Sequence, residues 1–445
     1  MTILDVGRFA LAAALGLSAS SASAQVRVGA PPSSFTVVRL YTFSGADGGN
    51  PEAGLTVDSD GALYGTTVTG GGANAGVVFK LTPPAPGKSK WTESVLYSFS
   101  GPDGARPSFT PALDSRGALY GATSQGGANN LGVAFMLTPP VAPSTQWVET
   151  KIFDFTYSVG SWPGGAFVFD SNGALYGVGG EGGASGYGTV YKLTPPVPPA
   201  TQWTGVALYN FTGGADGRYP GLKLFMDTSG ALYGGTGDGG TSGNGVVFKL
   251  TPPGADCAPT APNLWCETVL YSFADAADGV AIADGVTMDS HGALYGATYM
   301  GGAKGQGQIF KLTPPTPPSS QWSKTTLYSF TGGADGGNPF GTPVLVGGAL
   351  YGATLHYGNC PNCGAIYQLK PPVTPSAQWT ENTLWSFTGD ADGGSAPSLT
   401  FAPSQFGLGV AVYGVATFGV GVFSLQCAPR ARLISGGALQ TACAQ

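Results

Sequence analysis

Few side chains in this sequence are equipped for catalysis or metal binding, and their spacing narrows what they can do. His356 precedes Cys360 and Cys363 in the run His-Tyr-Gly-Asn-Cys-Pro-Asn-Cys. Three such groups would suit a metal ion, but a closed zinc site takes four ligands and no fourth is near in sequence. A Cys-x-x-Cys pair is redox-active where a helix N-terminus lowers a thiol pKa; here the flanking residues read as strands. A plain loop disulfide is the reading adopted. The other histidine, His291, sits in a turn, and no G-x-S-x-G elbow is present. A Ser-His-Asp triad therefore has little to draw on. The Gly-Gly runs lack the Lys-Ser/Thr that follows a phosphate loop. Glu52 and Glu181 are the only glutamates outside a recurring slot. A glycosidase needs two acids at a set separation, and these two fall in different loops.

One acidic set stands out. The motif G-A-D-G-G-N-P occupies residues 45–51 and recurs at 333–339, with relatives elsewhere, so that Asp47, Asp103, Asp216, Asp278, Asp335 and Asp392 share one slot. One copy breaks the pattern: Tyr157-Ser-Val-Gly-Ser-Trp162 replaces the Asp loop, and Arg106, Arg218 and Tyr219 vary nearby. Carboxylates beside exposed aromatics such as Trp162 suit sugars, peptides or a hard cation such as calcium. Asp-Gly is also ordinary turn chemistry, with Pro starting a strand. Residues found in every copy serve the fold, and residues that break the pattern mark a unique site. By that filter Asp58, Asp114, Asp170, Asp227 and Asp289 are turn residues. Glu93, Glu149, Glu267 and Glu381, which follow a tryptophan, are solvated or edge-strand groups.

These residues are carried by a unit repeated seven times. L-Y-x-F or a relative begins at Leu40, Leu96, Ile152, Leu208, Leu270, Leu327 and Leu384, at intervals of 56 to 62 residues. Between copies come D-S-x-G, then A-L-Y-G, then V-F-K-L-T-P-P, then a proline-rich link ending in tryptophan. Runs rich in Val, Tyr, Phe and Thr between Gly, Pro and Asp are strand chemistry. Asp58-Ser59-Asp60-Gly61 closes a hairpin, and Thr82-Pro83-Pro84 ends a strand. One unit is four strands, and four-stranded units repeated around an axis make a β-propeller. Units of this size without their own disulfides bury too little surface to stand alone. The expected fold is all-β, a seven-bladed β-propeller with four-stranded blades.

Phase predicts how the ring closes. The chain enters on a fourth-type strand and leaves on second- and third-type strands. The last blade should combine residues 35–44 with roughly 397–426, leaving no open edge. Residues 1–24 read as a signal peptide: Arg8, an apolar run at 9–17, and Ala22-Ser23-Ala24 before Gln25. The domain plan is thus 1–24 signal, 25–426 propeller, and 427–445 a tail tied by Cys427 and Cys443. The other expected disulfides are Cys257 with Cys266 and Cys360 with Cys363, since each pair lies in one loop.

The unit D-S-x-G-A-L-Y-G-x-T-x-x-G-G-x-x-x-G-x-V-F-K-L-T resembles the GloVer tandem repeat of secreted bacterial proteins over residues 36–426. Its D-x-x-G-x-L-Y-G core is similar, over a shorter span, to the regulator-type propeller repeat, where Trp stands for this Tyr. The resemblance implies export and repeat architecture, and no reaction or cofactor. The surface anchor of some family members has no counterpart signal at this C-terminus.

Composition bounds the function. With 74 Gly and 35 Pro in 445 residues, against averages of about 7% and 5%, long helices are excluded. The 42% hydrophobic fraction is enough for a core. Net charge is −6 with no basic stripe, so no nucleic acid is expected as partner. No later apolar run is long enough to span a membrane. In a four-stranded blade, the loops before the first strand and after the second emerge at one end, so the Asp loops and Gly-Gly loops should ring one mouth. The expectation is a secreted monomer, extracellular or periplasmic, that binds a glycan or cell-surface protein through that mouth without catalysis. It needs no cofactor, calcium being the one ion the Asp loops suggest. The alternatives are an extracellular polysaccharide lyase or glycoside hydrolase, and a structural envelope component.

Overall fold

Each repeat folds as an antiparallel sheet of four strands taken in chain order. In blade 1 these are Thr56–Val57, Leu63–Thr67, Val77–Thr82 and Thr92–Ser98. The computed structural model describes residues 35–440 apart from 255–256, 283, 375–377, 390–391, 404–409, 417–420, 428–431 and 434–438. Among them every regular element is a strand. The signal-peptide segment and Cys443 lie outside the described residues, as does the side chain of Cys427. Seven blades form a ring. The last takes its outer strand from the start of the chain: Phe35–Thr42 pairs antiparallel with Gly421–Cys427, from Phe35 opposite Cys427 to Thr42 opposite Gly421. At the inner end the Leu55 N–H donates to Thr400 Oγ1 (3.0 Å), and that hydroxyl donates to the Leu55 carbonyl (2.7 Å). Blades 7 and 1 are thereby joined.

The turn residues act as expected. Asp58 Oδ1 accepts from the backbone N–H of Asp60 and Ala62 (3.0 and 2.8 Å), and Oδ2 accepts the Tyr64 hydroxyl at 3.0 Å. Lys80 lies over the Tyr64 ring. Asp, the Tyr of A-L-Y-G and the Lys of V-F-K-L are therefore one unit, repeated at Asp170, Tyr176 and Lys192. Blade 6 drops the Asp for Gly347-Gly348, and Gln368 replaces the Lys and donates to the Tyr351 hydroxyl.

The core lies between blades. Each of its seven main apolar clusters joins two neighbouring sheets. Each seam holds an edge-to-face aromatic pair: the Phe of L-Y-x-F meets the aromatic of the next blade's third strand. The pairs are Phe43–Phe79, Phe99–Phe135, Phe155–Tyr191, Phe211–Phe248, Phe273–Phe310, Phe330–Tyr367 and Phe387–Phe423, with centroids 4.9–5.6 Å apart. This explains the Gly of A-L-Y-G. A Cβ on Gly296 would lie 2.5 Å from Phe310 Cζ, because the ring crosses the neighbouring strand at that point. The tryptophans, read in sequence as the end of a link, face the Tyr of the preceding blade, as Trp147 does Tyr64 and Trp203 does Tyr120.

Candidate functional site

The Asp loops and Gly-Gly loops meet at one end of the ring. The second Gly of each Gly-Gly pair donates its N–H to the loop that enters the same blade: Gly71 to the Gly45 carbonyl, Gly127 to Gly101, Gly240 to Gly214 and Gly302 to Ala276. In blade 3 the replaced loop keeps this bond, Gly183 to the Tyr157 carbonyl at 2.7 Å.

All six loop aspartates are tied to their own loop and to the strand before it. Asp47 Oδ1 accepts from the Ser44 N–H and hydroxyl, and Oδ2 from the Tyr41 hydroxyl. Asp103 repeats this with Ser100 and Tyr97, and Asp216 with Thr212 and Tyr209. Asp335 is held by Thr331 and Tyr328, and Asp392 by Thr388 and the Trp385 indole. Asp278 accepts from the Tyr271 hydroxyl and the Ala274 N–H, and pairs with Lys324 at 2.8 Å. Burial works against ionisation at Asp47, Asp103 and Asp278, but these bonds hold their carboxyls below the usual range. Both oxygens of each carboxylate already serve the loop. Millimolar calcium is therefore expected to move the melting temperature by less than about 1 °C. A larger rise in a calorimetric scan would show that the loops take the ion.

The glutamates that follow the tryptophans lie on the edge strand of their blades, one of the two readings from sequence, but they are not fully solvated. They sit half-buried at the seams, each in the field of the Asp one loop back: Glu93 with Asp47, Glu149 with Asp103, Glu267 with Asp216 and Glu381 with Asp335. One buried oxygen of Glu93, Glu149 and Glu267 has no hydrogen-bond partner. Burial first, and the neighbouring aspartate second, push the Glu93 and Glu149 carboxyls up to about 7 and Glu267 to about 8. At Glu381, also near 7, the Thr383 hydroxyl partly offsets the burial. The same slot holds Lys324 opposite Asp278, and Gly205 after the loop that lacks an Asp. A raised carboxyl pKa means that the folded chain binds more protons than the unfolded chain between the ordinary 4.5 and about 8. Stability from these groups is fully present below pH 4.5 and is lost as pH rises through 7 to 8. The melting temperature is expected to fall from pH 6 to pH 9. Gln at positions 93, 149, 267 and 381 together should flatten that fall; an unchanged slope would show the glutamates ionised throughout.

A second ring faces the mouth and escaped the sequence reading as a set. Just before or within the first strand of blades 1 to 6, one non-glycine residue is held at positive φ, between 51° and 63°: Asn50, Arg106, Trp162, Tyr219, Ala281 and Asn338. Such a conformation costs about 1 kcal/mol or more and persists only where surroundings impose it. Here the backbone N–H donates to the preceding blade: Arg106 to the Ala75 carbonyl, Tyr219 to Tyr187, Ala281 to Asn244 and Asn338 to Gln306. The residue just before each one pairs with the end of the second strand, which brings in Thr69, Gln125, Glu181, Asp238, Met300 and His356. The signal was the x-Pro dipeptide that opens most first strands, where x changes from blade to blade. Glu52 lies beside Arg106, and Glu181 in the field of Tyr219. They belong to different seams, with blade 2 between them.

Three overlapping segments, residues 26–224, 150–317 and 261–430, match the Gloeobacter/Verrucomicrobia repeat. The chain belongs to this family. No curated protein sequence matches it. Solved structures similar to this Gloeobacter/Verrucomicrobia repeat protein include the extracellular domain of a one-component system protein from B. thetaiotaomicron, at 13% identity and TM-score 0.49. That match covers 88% of this chain and 42% of the other, so the chain spans less than half the length of that relative. An oxidoreductase described as a glucose dehydrogenase from Thermus thermophilus matches at 14% identity and TM-score 0.39, covering 88% of this chain and 100% of that one. A protein described as a gluconolactonase matches at 14% identity and TM-score 0.38, covering 80% and 95%.

The cysteines of this Gloeobacter/Verrucomicrobia repeat protein pair locally: Cys257 with Cys266 and Cys360 with Cys363. With both thiols of the C-x-x-C bonded, His356 turns to the Tyr299 hydroxyl at 3.2 Å, and burial lowers its pKa. No group of three or more His, Cys, Asp or Glu side chains suited to a metal ion occurs among the described residues. Nor is any helix among them long and apolar enough to cross a membrane. A cavity of about 240 Å³ opens at the seam of blades 6 and 7, lined by Val37, Arg39, Trp385 and Asp392. Val37 stands there in the slot that holds a glutamate at four other seams, which leaves the space unfilled.

Proposed function

We propose that this protein is an exported, non-catalytic binding module that takes a glycan at the mouth of the propeller. The observation that carries the reading is the ring of left-handed positions. All six share the left-handed backbone, which at Arg106, Tyr219, Ala281 and Asn338 is held by a carbonyl of the preceding blade, while their side chains change from Asn to Arg, Trp, Tyr and Ala. Apart from the buried Ala281, these positions present varied polar and aromatic groups on a rigid scaffold, which is the arrangement of a recognition surface. Export is supported by the two disulfides, which persist in oxidising compartments, and by the small-residue motif before Gln25.

The test is a glycan array probed with the purified chain, alongside a pull-down from cell-surface extract. Specific retention of a glycan is expected, with Trp162→Ala weakening it at least tenfold while the melting temperature stays within about 2 °C. Silence in both screens, or retention of a surface protein alone, would overturn the glycan reading.

A further inference from the structure

The seam between blades 3 and 4 differs from its equivalents. Arg218 places its guanidinium carbon 5.9 Å from the Tyr187 ring centroid and 5.6 Å from that of Tyr219. The two rings stand edge to face at 6.2 Å. Arg218 Nη2 approaches Asp238 Oδ2 at 3.4 Å, an ion pair without hydrogen-bond geometry. Asp238 is only 8% exposed, and its Oδ2 and the Arg218 Nε are buried with no hydrogen-bond partner. Buried polar groups are ordinarily hydrogen-bonded, so two such atoms in one ion pair need an explanation. Glu181 of blade 3 acts electrostatically on the same Tyr219 hydroxyl as Asp238. The corresponding strand-end positions in the other described blades are Thr69, Gln125, Met300 and His356. Glu181 and Asp238 thus bring a carboxylate from each of the two blades to this seam, beside the Arg218 guanidinium.

We propose that this seam is the sector of the mouth that reads the ligand, and that it takes an uncharged pyranose unit; this rests on the glycan-binding reading above. Two carboxylates accept hydrogens from neighbouring sugar hydroxyls, and the partly exposed Arg218 guanidinium donates to a third oxygen. The tyrosine rings meet the C–H face of the sugar. Charge decides against the competing classes. Glu181 and Asp238 with Arg218 leave a net single negative charge, which repels a uronate. The guanidinium already pairs with Asp238, so the ammonium of a basic peptide would have to displace it from that carboxylate.

The full-length chain is titrated calorimetrically with the neutral oligosaccharides that score on the array, with cellopentaose and mannopentaose, with tetragalacturonate, and with a lysine-rich pentapeptide. A neutral oligomer is expected to bind. Asp238→Asn and, separately, Glu181→Gln should each weaken it at least tenfold with unchanged circular dichroism. Two variants on different blades keep the test informative if one disturbs the seam. Neutral binding that neither variant changes places the sugar elsewhere on the mouth, which overturns this inference and leaves the binding function standing. Preference for tetragalacturonate or the peptide overturns the ligand class. An array with no glycan hit at all overturns both readings.

Discussion

A chain that begins after residue 43 is expected to lose cooperative folding, or to melt at least 15 °C below the intact protein. The deletion removes Phe35–Thr42, the outer strand of blade 7, and leaves the backbone groups of Gly421–Cys427 unpaired along a sheet edge. It also removes Phe43, and with it the edge-to-face contact with Phe79 at the seam of blades 7 and 1. Leu40, Tyr41, Leu55 and Val422 lie in the same cluster, so two blades lose their shared cover. Thermal unfolding followed by circular dichroism, with size-exclusion chromatography for aggregation, measures the effect. A shortened chain that melts within about 3 °C of the parent would show that blade 7 closes without this strand. A peptide of residues 35–43 added in trans should restore part of the loss, because mass action favours the state that binds it.

Phe310→Ala is the single substitution expected to cost most, about 3–5 kcal/mol. The ring is fully buried, pairs edge to face with Phe273 of the preceding blade, and lies across Gly296 of its own sheet. Gly296→Ala should cost about 1–3 kcal/mol by overpacking, since its methyl group meets Phe310 Cζ and the rigid ring has nowhere to go. The double variant should be less destabilised than the sum, because the new methyl group falls in the space the ring vacates. Urea unfolding of the four proteins gives the coupling. Strict additivity would show that Gly296 is required for its backbone alone.

Much of the fold was legible because its determinants are local. The Asp58 turn, the strand-ending prolines and the seven-fold recurrence of A-L-Y-G each act within a few residues, and the count of copies set the number of blades. The phase of the first and last strands was enough to place residues 35–44 in blade 7. The pairing of Cys257 with Cys266 and of Cys360 with Cys363 was legible for the same reason. The glutamates were placed on an edge strand correctly, but their partial burial was not legible, because a single strand with alternating Thr, Glu and Ser looks solvated. The Glu93 carboxyl is raised by burial first and by the charge of Asp47, distant in the chain, second. A signal was present: where the loop after blade 2 lacks an Asp, the slot one repeat later is Gly205, and where Lys replaces Glu it faces Asp278. Reading each slot against the repeat before it would have found the pairs.

By itself the sequence determined what hydrogen bonding and side-chain volume settle over short distances: strands, turns, the repeat count and the closing strand. The tertiary structure alone decided which groups meet across a seam. That choice depends on how far each twisted sheet is rotated against the next, and no run of residues encodes it. Thus Arg218, Tyr187 and Asp238, which come from two blades, form one cluster only because those sheets pack face to face. The left-handed backbone of Tyr219 likewise exists because Tyr187 of the preceding blade supplies the carbonyl that holds it.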